Sequence, residues 1–395
     1  MRWPGSAAGR SLQLRLPDVA VLTRASLSLA PAVVPDLHYA AERVAVLAYG
    51  LAGLRDADGA VPDTEIAALF AEGLLHAPLP PTLGGLSLGI AADTALLLRD
   101  VLRVIGGASL SLGRLYEGHV NAVKLIARYG THSQLEQIAA ECDAGRLSAV
   151  WNAQAGSGLR FDGGVLAGGK IYCSGIGLVH RAVLTATAAD GVQMLMPDVS
   201  AAPADLSAWT PLGMRATLTG EGIFTGIVVA ADACIGKAGD YYRAPLFAGG
   251  AWRVLAVQLG ALERLVALYR LQMQERGRSE DPVQRARFGE TVALLETARL
   301  WVARTACVAE DPQQEPTEVA ALVNLGRKAF EHAALAICER VERGVGLSAM
   351  LRPNPVERIV RDLRTYLRQP FADAALDAAA LWALEGRPMH TDMGD

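Results

Sequence analysis

The polar side chains Tyr116, His119 and Asn121 stand in a largely apolar stretch over residues 110–129. Tyr116 and His119 stand at i and i+3, so a helix there carries both on one face. A histidine titrates near neutral pH and could orient a substrate hydroxyl. The competing reading is a hydrogen-bonded structural histidine beside a tyrosine at a helix interface. Arg114 and Glu117, in the same stretch, are expected to face solvent or a partner helix. A second set lies in Lys170-Ile171-Tyr172-Cys173-Ser174-Gly175. A strand has a side-chain period of two, so Tyr172 and Ser174 would share a face and offer a stacking surface beside a hydroxyl. Cys173 would point the other way and takes no catalytic role, and His180, near an expected turn, is a weaker candidate. The remaining cysteines, Cys142, Cys234, Cys307 and Cys338, form no CxxC and pair with no nearby histidine. With Cys173 they make five, and that odd, unpatterned set argues against a zinc site and for reduced thiols in a cytoplasmic setting.

The elements that must position these groups follow from hydrophobic period and breakers. Leu37, Ala40, Ala41, Val44, Leu47, Ala48 and Leu51 recur at helical spacing, with Asp36 as N-cap. A second helix restarts at Pro62 and ends at Gly73, and Pro78, Pro80, Pro81 and Gly84-Gly85 enforce a loop. Helices are expected over residues 91–105, 110–129 and 133–142. After Arg146 the texture turns to short β-leaning runs: 147–151, 165–166, 170–173, 182–188, 193–196 and 222–229. Gly- and Asp-rich turns separate them, as in an antiparallel barrel or sandwich. Long helical patterns return over 252–276, 282–308, 317–341, 355–367 and 373–384.

The chain therefore reads as α+β, mostly α. A poorly structured extension (1–35) precedes an N-terminal helical domain (36–145). A small central β domain (146–239), a C-terminal four-helix bundle (240–386) and a tail (387–395) follow. At 395 residues, 51% of them apolar and with a net charge of −4, the chain can bury large cores. It carries no block of like charge suited to nucleic acid. Mean hydropathy is high at +0.24, yet no apolar run approaches the ~18–20 residues of a membrane span. That surplus is expected in helix–helix contacts within the chain and between subunits, as a homodimer or homotetramer.

Four local motifs, in order along the chain, carry a resemblance. They are Arg128-Tyr129-Gly130-Thr131 with Gln134, the Lys170–Gly175 run, Leu212-Gly213-Met214-Arg215-Ala216-Thr217, and Pro355-Val356-Glu357-Arg358 with Arg361-Asp362. Together they resemble the acyl-CoA dehydrogenase superfamily over about residues 36–384. The resemblance implies a flavin between the β domain and the C-terminal bundle, FAD by default and FMN as the alternative. It implies Ser174 as a hydroxyl near flavin N5 and Tyr172 packing on the ring. Trp151, Ala153 and Ser157 fall in the segment that approaches the flavin with backbone donors, where only Ala155-Gly156-Ser157 keeps the family pattern. Arg276 matches the arginine that meets the flavin pyrophosphate.

The sequence departs from that family at the catalytic base, a Glu supplied from one of two places. Those places hold Pro370 and Trp252 here, and the nearest acid to the first is Asp373. A dehydrogenase needs a carboxylate of raised pKa beside the substrate α-carbon. Three functions stay open. One is oxidation of an acyl thioester, as a CoA or carrier-protein conjugate, with hydride passing to the flavin and a non-standard or absent base. Another is a flavin monooxygenase that hydroxylates carbon or nitrogen. The last is a non-catalytic flavin-binding relative. An enzyme of either kind would work with an electron-transfer flavoprotein or a flavin reductase, without metal, nucleic acid or membrane.

Overall fold

A computed structural model describes residues 36–57 and 60–385. The expected extension 1–35 and tail 387–395 lie outside the described residues. The described chain runs helix, sheet, helix. Helix α1 (Leu37–Leu51) starts at Asp36, whose Oδ1 accepts from the backbone N–H of His38 and Tyr39. α2 (Asp63–Ala71), α3 (Ala95–Ala108), α4 (Leu110–Tyr129) and α5 (His132–Asp143) complete the first helical layer. On α3 the residues Leu98, Val101, Leu102 and Ile105, spaced one and two turns apart, are all buried.

The turn into α5 shows what the Gly130-Thr131…Gln134 motif does physically. Thr131 Oγ1 accepts from the Gln134 N–H and Gln134 Oε1 accepts from the Thr131 N–H, a reciprocal capping box. The Gln134 amide then donates to the carbonyls of Asp232 and Cys234, at 2.6 and 2.8 Å. One side chain thus starts a helix and ties it to the sheet.

The strands are β1 (Ser148–Trp151), β2 (Gln154–Asp162), β3 (Val165–Cys173), β4 (Arg181–Ala188), β5 (Gly191–Leu195), β6 (Ala204–Asp205), β7 (Gly220–Ile223) and β8 (Cys234–Ile235). They pair in the order β6-β7-β3-β2-β4-β5-β8, with β1 lying parallel against β4. The sheet is therefore mixed, where the sequence suggested an antiparallel module. The β-leaning run 222–229 is strand only at its start. Upstream of it, Met214 and Leu218 take left-handed backbone conformations, so residues 209–218 form a turn-rich loop.

The second helical layer comprises α6 (Leu246–Gly249), α7 (Trp252–Glu275), α8 (Pro282–Glu310), α9 (Pro316–Val345), α10 (Pro355–Tyr366) and α11 (Ala372–Leu384). α7 crosses α3 at backbone contact. A Cβ on Gly260 would overlap the carbonyl of Arg103, and one on Gly106 would overlap that of Val257. Only glycine allows that approach. The main hydrophobic core runs unbroken from α1 through the sheet into α7, α9 and α10. A small satellite of Ala321, Ala379 and Trp382 packs α11 onto α9. No described helix is long and apolar enough to cross a membrane.

Candidate functional site

Between α4 and β1 lies a narrow cavity lined by Arg114, Leu115 and Gly118 on one side and by residues 147–151, Ser174 and Val179 on the other. In this closed form it has room for about one water. The Trp151 indole is buried at its edge, stacked on Phe224 at 6.0 Å between centroids, and its N–H donates to the Ser174 carbonyl at 3.0 Å. Two hydroxyls belong to this lining. Ser148 Oγ is buried without a hydrogen-bond partner. Ser174 Oγ accepts from Thr219 Oγ1 at 3.1 Å and donates to no acceptor among the described residues.

Behind the α4 wall runs a chain of buried polar groups. Arg114 donates to Glu117 Oε2 at 2.5 Å, and Asn121 donates to the other oxygen of Glu117. Arg253 donates to Asn121 Oδ1 at 2.5 Å and to Glu310 Oε1 at 2.7 Å. Glu310 also pairs with Lys124, and the Trp252 indole N–H donates to it at 2.9 Å. The side chains of Glu117, Arg253 and Glu310 are each at most 5% exposed. Buried charge is tolerated only when paired in this way. Desolvation, with Arg253 adding repulsion, holds the Lys124 ammonium down at about 8.

The structure corrects several sequence expectations. Glu117 does not face solvent; it is buried and paired with Arg114. Tyr116 and His119 are fully buried and do not reach the cavity lining. The Tyr116 hydroxyl donates to the Leu74 carbonyl at 3.0 Å. His119 Nε2 donates to the Leu75 carbonyl at 2.8 Å, and Nδ1 accepts from the Ser148 N–H at 3.0 Å. Both ring nitrogens are occupied, and burial holds the imidazole at about 4. The two residues pin α4 to the turn that follows α2 and to β1, away from the cavity.

Tyr172 and Ser174 do not alternate along one pleat. The β3–β7 register shifts between Lys170 and Cys173, Tyr172 sits at φ 56°, and its ring is 65% exposed. Ser174 lies beyond the strand end, in a turn. Ala153 and Ser157 are exposed on the β2 side. Arg276 donates to the Val345 carbonyl and to Ser348 Oγ, both at 2.9 Å, closing the end of α9 away from the cavity lining. Trp252 is buried on Glu310, while Pro370 and Asp373 are exposed in and after the α10–α11 turn.

Residues 254–369 match the family model for the acyl-CoA dehydrogenase C-terminal domain. The whole described fold agrees with that family. Residues 254–369 thus match the C-terminal domain of acyl-CoA dehydrogenases, and the described fold as a whole is the one those enzymes have. Among solved structures, KijD3 in complex with FMN and an amino-keto dTDP-sugar superimposes with a TM-score of 0.77. It is 19% identical and covers 91% of this chain and 97% of its own. The glutaryl-coenzyme A dehydrogenase complex with glutaryl-CoA gives 0.77 at 18% identity, over 92% and 98%. TdsC from Paenibacillus sp. A11-2, with FMN and indole, gives 0.71 at 19% identity, over 90% and 98%. No curated protein matches the chain by sequence.

Within this superfamily fold, two of the recognition motifs meet each other. The Met214 N–H donates to Asp362 Oδ1 at 2.7 Å and the Gly213 N–H to Thr365 Oγ1 at 3.1 Å. Arg361 pairs with Asp56 and Glu357 and donates to the Leu212 carbonyl at 2.5 Å. The Arg361-Asp362 motif thus fastens the 209–218 loop to α10. Sequence reasoning missed Glu310, which meets Trp252 across 58 residues. A signal existed: an acid at the last position of a helix opposes the helix dipole and calls for cationic partners.

Proposed function

We propose that this protein is a flavin-dependent oxidoreductase, with FAD or FMN seated against β1 and the end of β3. One observation carries the reading. In a fold shared with flavin-bound structures, the α4–β1 cavity is lined by two serine hydroxyls with hydrogen-bonding capacity left over, Ser148 and Ser174. Such donors suit the polar edge of an isoalloxazine ring, and the exposed Tyr172 ring lies two residues from Ser174. The closed cavity is too narrow for a flavin ring, so the Trp151 indole has to yield to it. A bound flavin would supply two-electron redox chemistry at this point. The protein's part is to hold the ring through Ser174, exclude water with Trp151 and Leu115, and keep charge fixed behind α4.

Among the described residues the cavity lining contains no carboxylate. Glu117 and Glu310 are tied to Arg114, Asn121, Lys124, Arg253 and Trp252, and Asp373 is exposed. This favours oxygenation over base-assisted dehydrogenation, because adding oxygen from O₂ to a substrate needs no buried base. The reducing electrons would then come from a separate flavin reductase. A flavin titration of the purified protein, followed by butyryl-CoA without air, separates the readings. Bleaching of bound flavin by butyryl-CoA supports dehydrogenation. No bleaching, with substrate hydroxylation when reduced FMN and O₂ are supplied, supports oxygenation. A protein that takes up neither FAD nor FMN defeats both.

A further inference from the structure

Resting on the flavin reading, a second property of the same cavity concerns the substrate. Arg114 is the one charged side chain in the lining among the described residues. Its guanidinium carries five N–H donors, and its single protein partner is Glu117. With 27% of its side chain exposed, it remains reachable. The second oxygen of Glu117 accepts from Asn121 instead of from Arg114.

The polar chain behind α4 holds three cations, Arg114, Arg253 and Lys124, against two carboxylates, Glu117 and Glu310. Lys124 and Arg253 converge on Glu310, so the surplus cation lies there, while Arg114 is matched one to one by Glu117 and brings unused N–H donors to the cavity. Tyr241 and Tyr366 also face Arg114 and Glu117, and both are neutral phenols pushed up by burial. No other charged group among the described residues meets Arg114 from the packed elements. Across the cavity stands Ser148, whose hydroxyl is buried and unpartnered. A planar fork with free donors and a spare hydroxyl form a site for a two-oxygen anion.

We propose that the α4–β1 cavity is a carboxylate subsite, in which Arg114 and Ser148 hold a carboxylate carried by the substrate. A reduced, anionic flavin offers related chemistry, and the test separates the two sources. Flavin-loaded protein is titrated with benzoate and with benzamide, reading the change in flavin absorbance. The expected result is benzoate binding about tenfold tighter or more, as a charge-assisted pair would give. Arg114→Gln should abolish that preference with flavin affinity unchanged, and Ser148→Ala should weaken it severalfold.

Equal affinity for the two probes in the unaltered protein overturns the proposal. A loss of flavin affinity in Arg114→Gln with the benzoate preference intact also overturns it and assigns Arg114 to the flavin. Because Arg114→Gln strands Glu117, the Arg114→Gln/Glu117→Gln pair provides a charge-balanced variant, with the same outcomes expected. If the protein binds no flavin at all, the functional reading fails, and calorimetry of benzoate against benzamide on the flavin-free protein decides the subsite alone.

Discussion

Arg253 on α7 and Glu310 at the end of α8 form an ion pair at 2.7 Å with both side chains at most 5% exposed. The same carboxylate receives Lys124 from α4, so one acid joins three helices. Glu310→Ala would leave two buried cations and the Trp252 N–H without their acceptor. The expected loss is about 3–5 kcal/mol, read as a lower urea midpoint. A variant as stable as the parent would show that the three-helix junction does not hold in solution.

The glycine contact between α3 and α7 sets a second expectation. Gly260→Ala forces a methyl into the Arg103 carbonyl and should cost about 1–3 kcal/mol or more. Gly289→Ala, on α8 where a Cβ meets nothing, should instead stabilise by about 0.5–1 kcal/mol. Melting temperatures of the two variants should move in opposite directions.

His119 makes stability depend on acid. Its folded pKa is about 4, lowered by burial, against about 6.5 in an unfolded chain. Between those values the unfolded state takes up a proton that the folded state refuses. The contribution is therefore flat above pH 6.5 and falls as pH drops toward 4. From pH 7 to pH 5 the loss is about 2 kcal/mol, and His119→Gln should remove it. Urea titrations at the two pH values check this.

Asp362 pulls the other way. Burial raises its folded pKa to about 6, against about 3.9 unfolded. The folded state then binds the extra proton, so this group adds stability as pH falls from 7 to 5, by about 1 kcal/mol. Asp362→Asn should abolish that gain, leaving a protein that loses more stability on acidification than its parent. An unchanged pH slope would place the carboxyl in water.

Flavin binding should be visible from both sides of the cavity. The Trp151 indole must be displaced, so FMN titration should quench a fluorescence signal that Trp151→Phe lacks. Ser174→Ala should weaken flavin affinity by about tenfold. Full affinity in Ser174→Ala would remove that hydroxyl from the site.

Much of the fold was legible because helical period and capping chemistry are local. Asp36 and Thr131 mark helix starts, and the resemblance motifs lie on the joints that hold the layers together: Gln134 onto β8, and Arg361-Asp362 onto the 212–214 loop. The site was less legible. Tyr172 adopts a left-handed backbone without being glycine or asparagine, and no residue type announces that. His119 looked reactive because an apolar helix carried a lone imidazole, but its partners, Leu75 and Ser148, sit on other elements. The Arg114–Glu117–Asn121 face was readable at i, i+3 and i+7, whereas Glu310 reaches it only through the fold.

The glycine contacts also decide which wall of the cavity can move. Gly113 of α4 abuts Gly106 of α3, and α3 in turn lies against α7 at Gly260. With little besides the Val257 side chain between these backbones to tilt or repack, α4 is an anvil. Compliance belongs to the opposite wall, where β1 pairs with β4 alone along its length. Admission of any ligand is then a displacement of the strand that carries Trp151. A spin label near that strand should report it, while one on Leu96, which is exposed on α3, stays still.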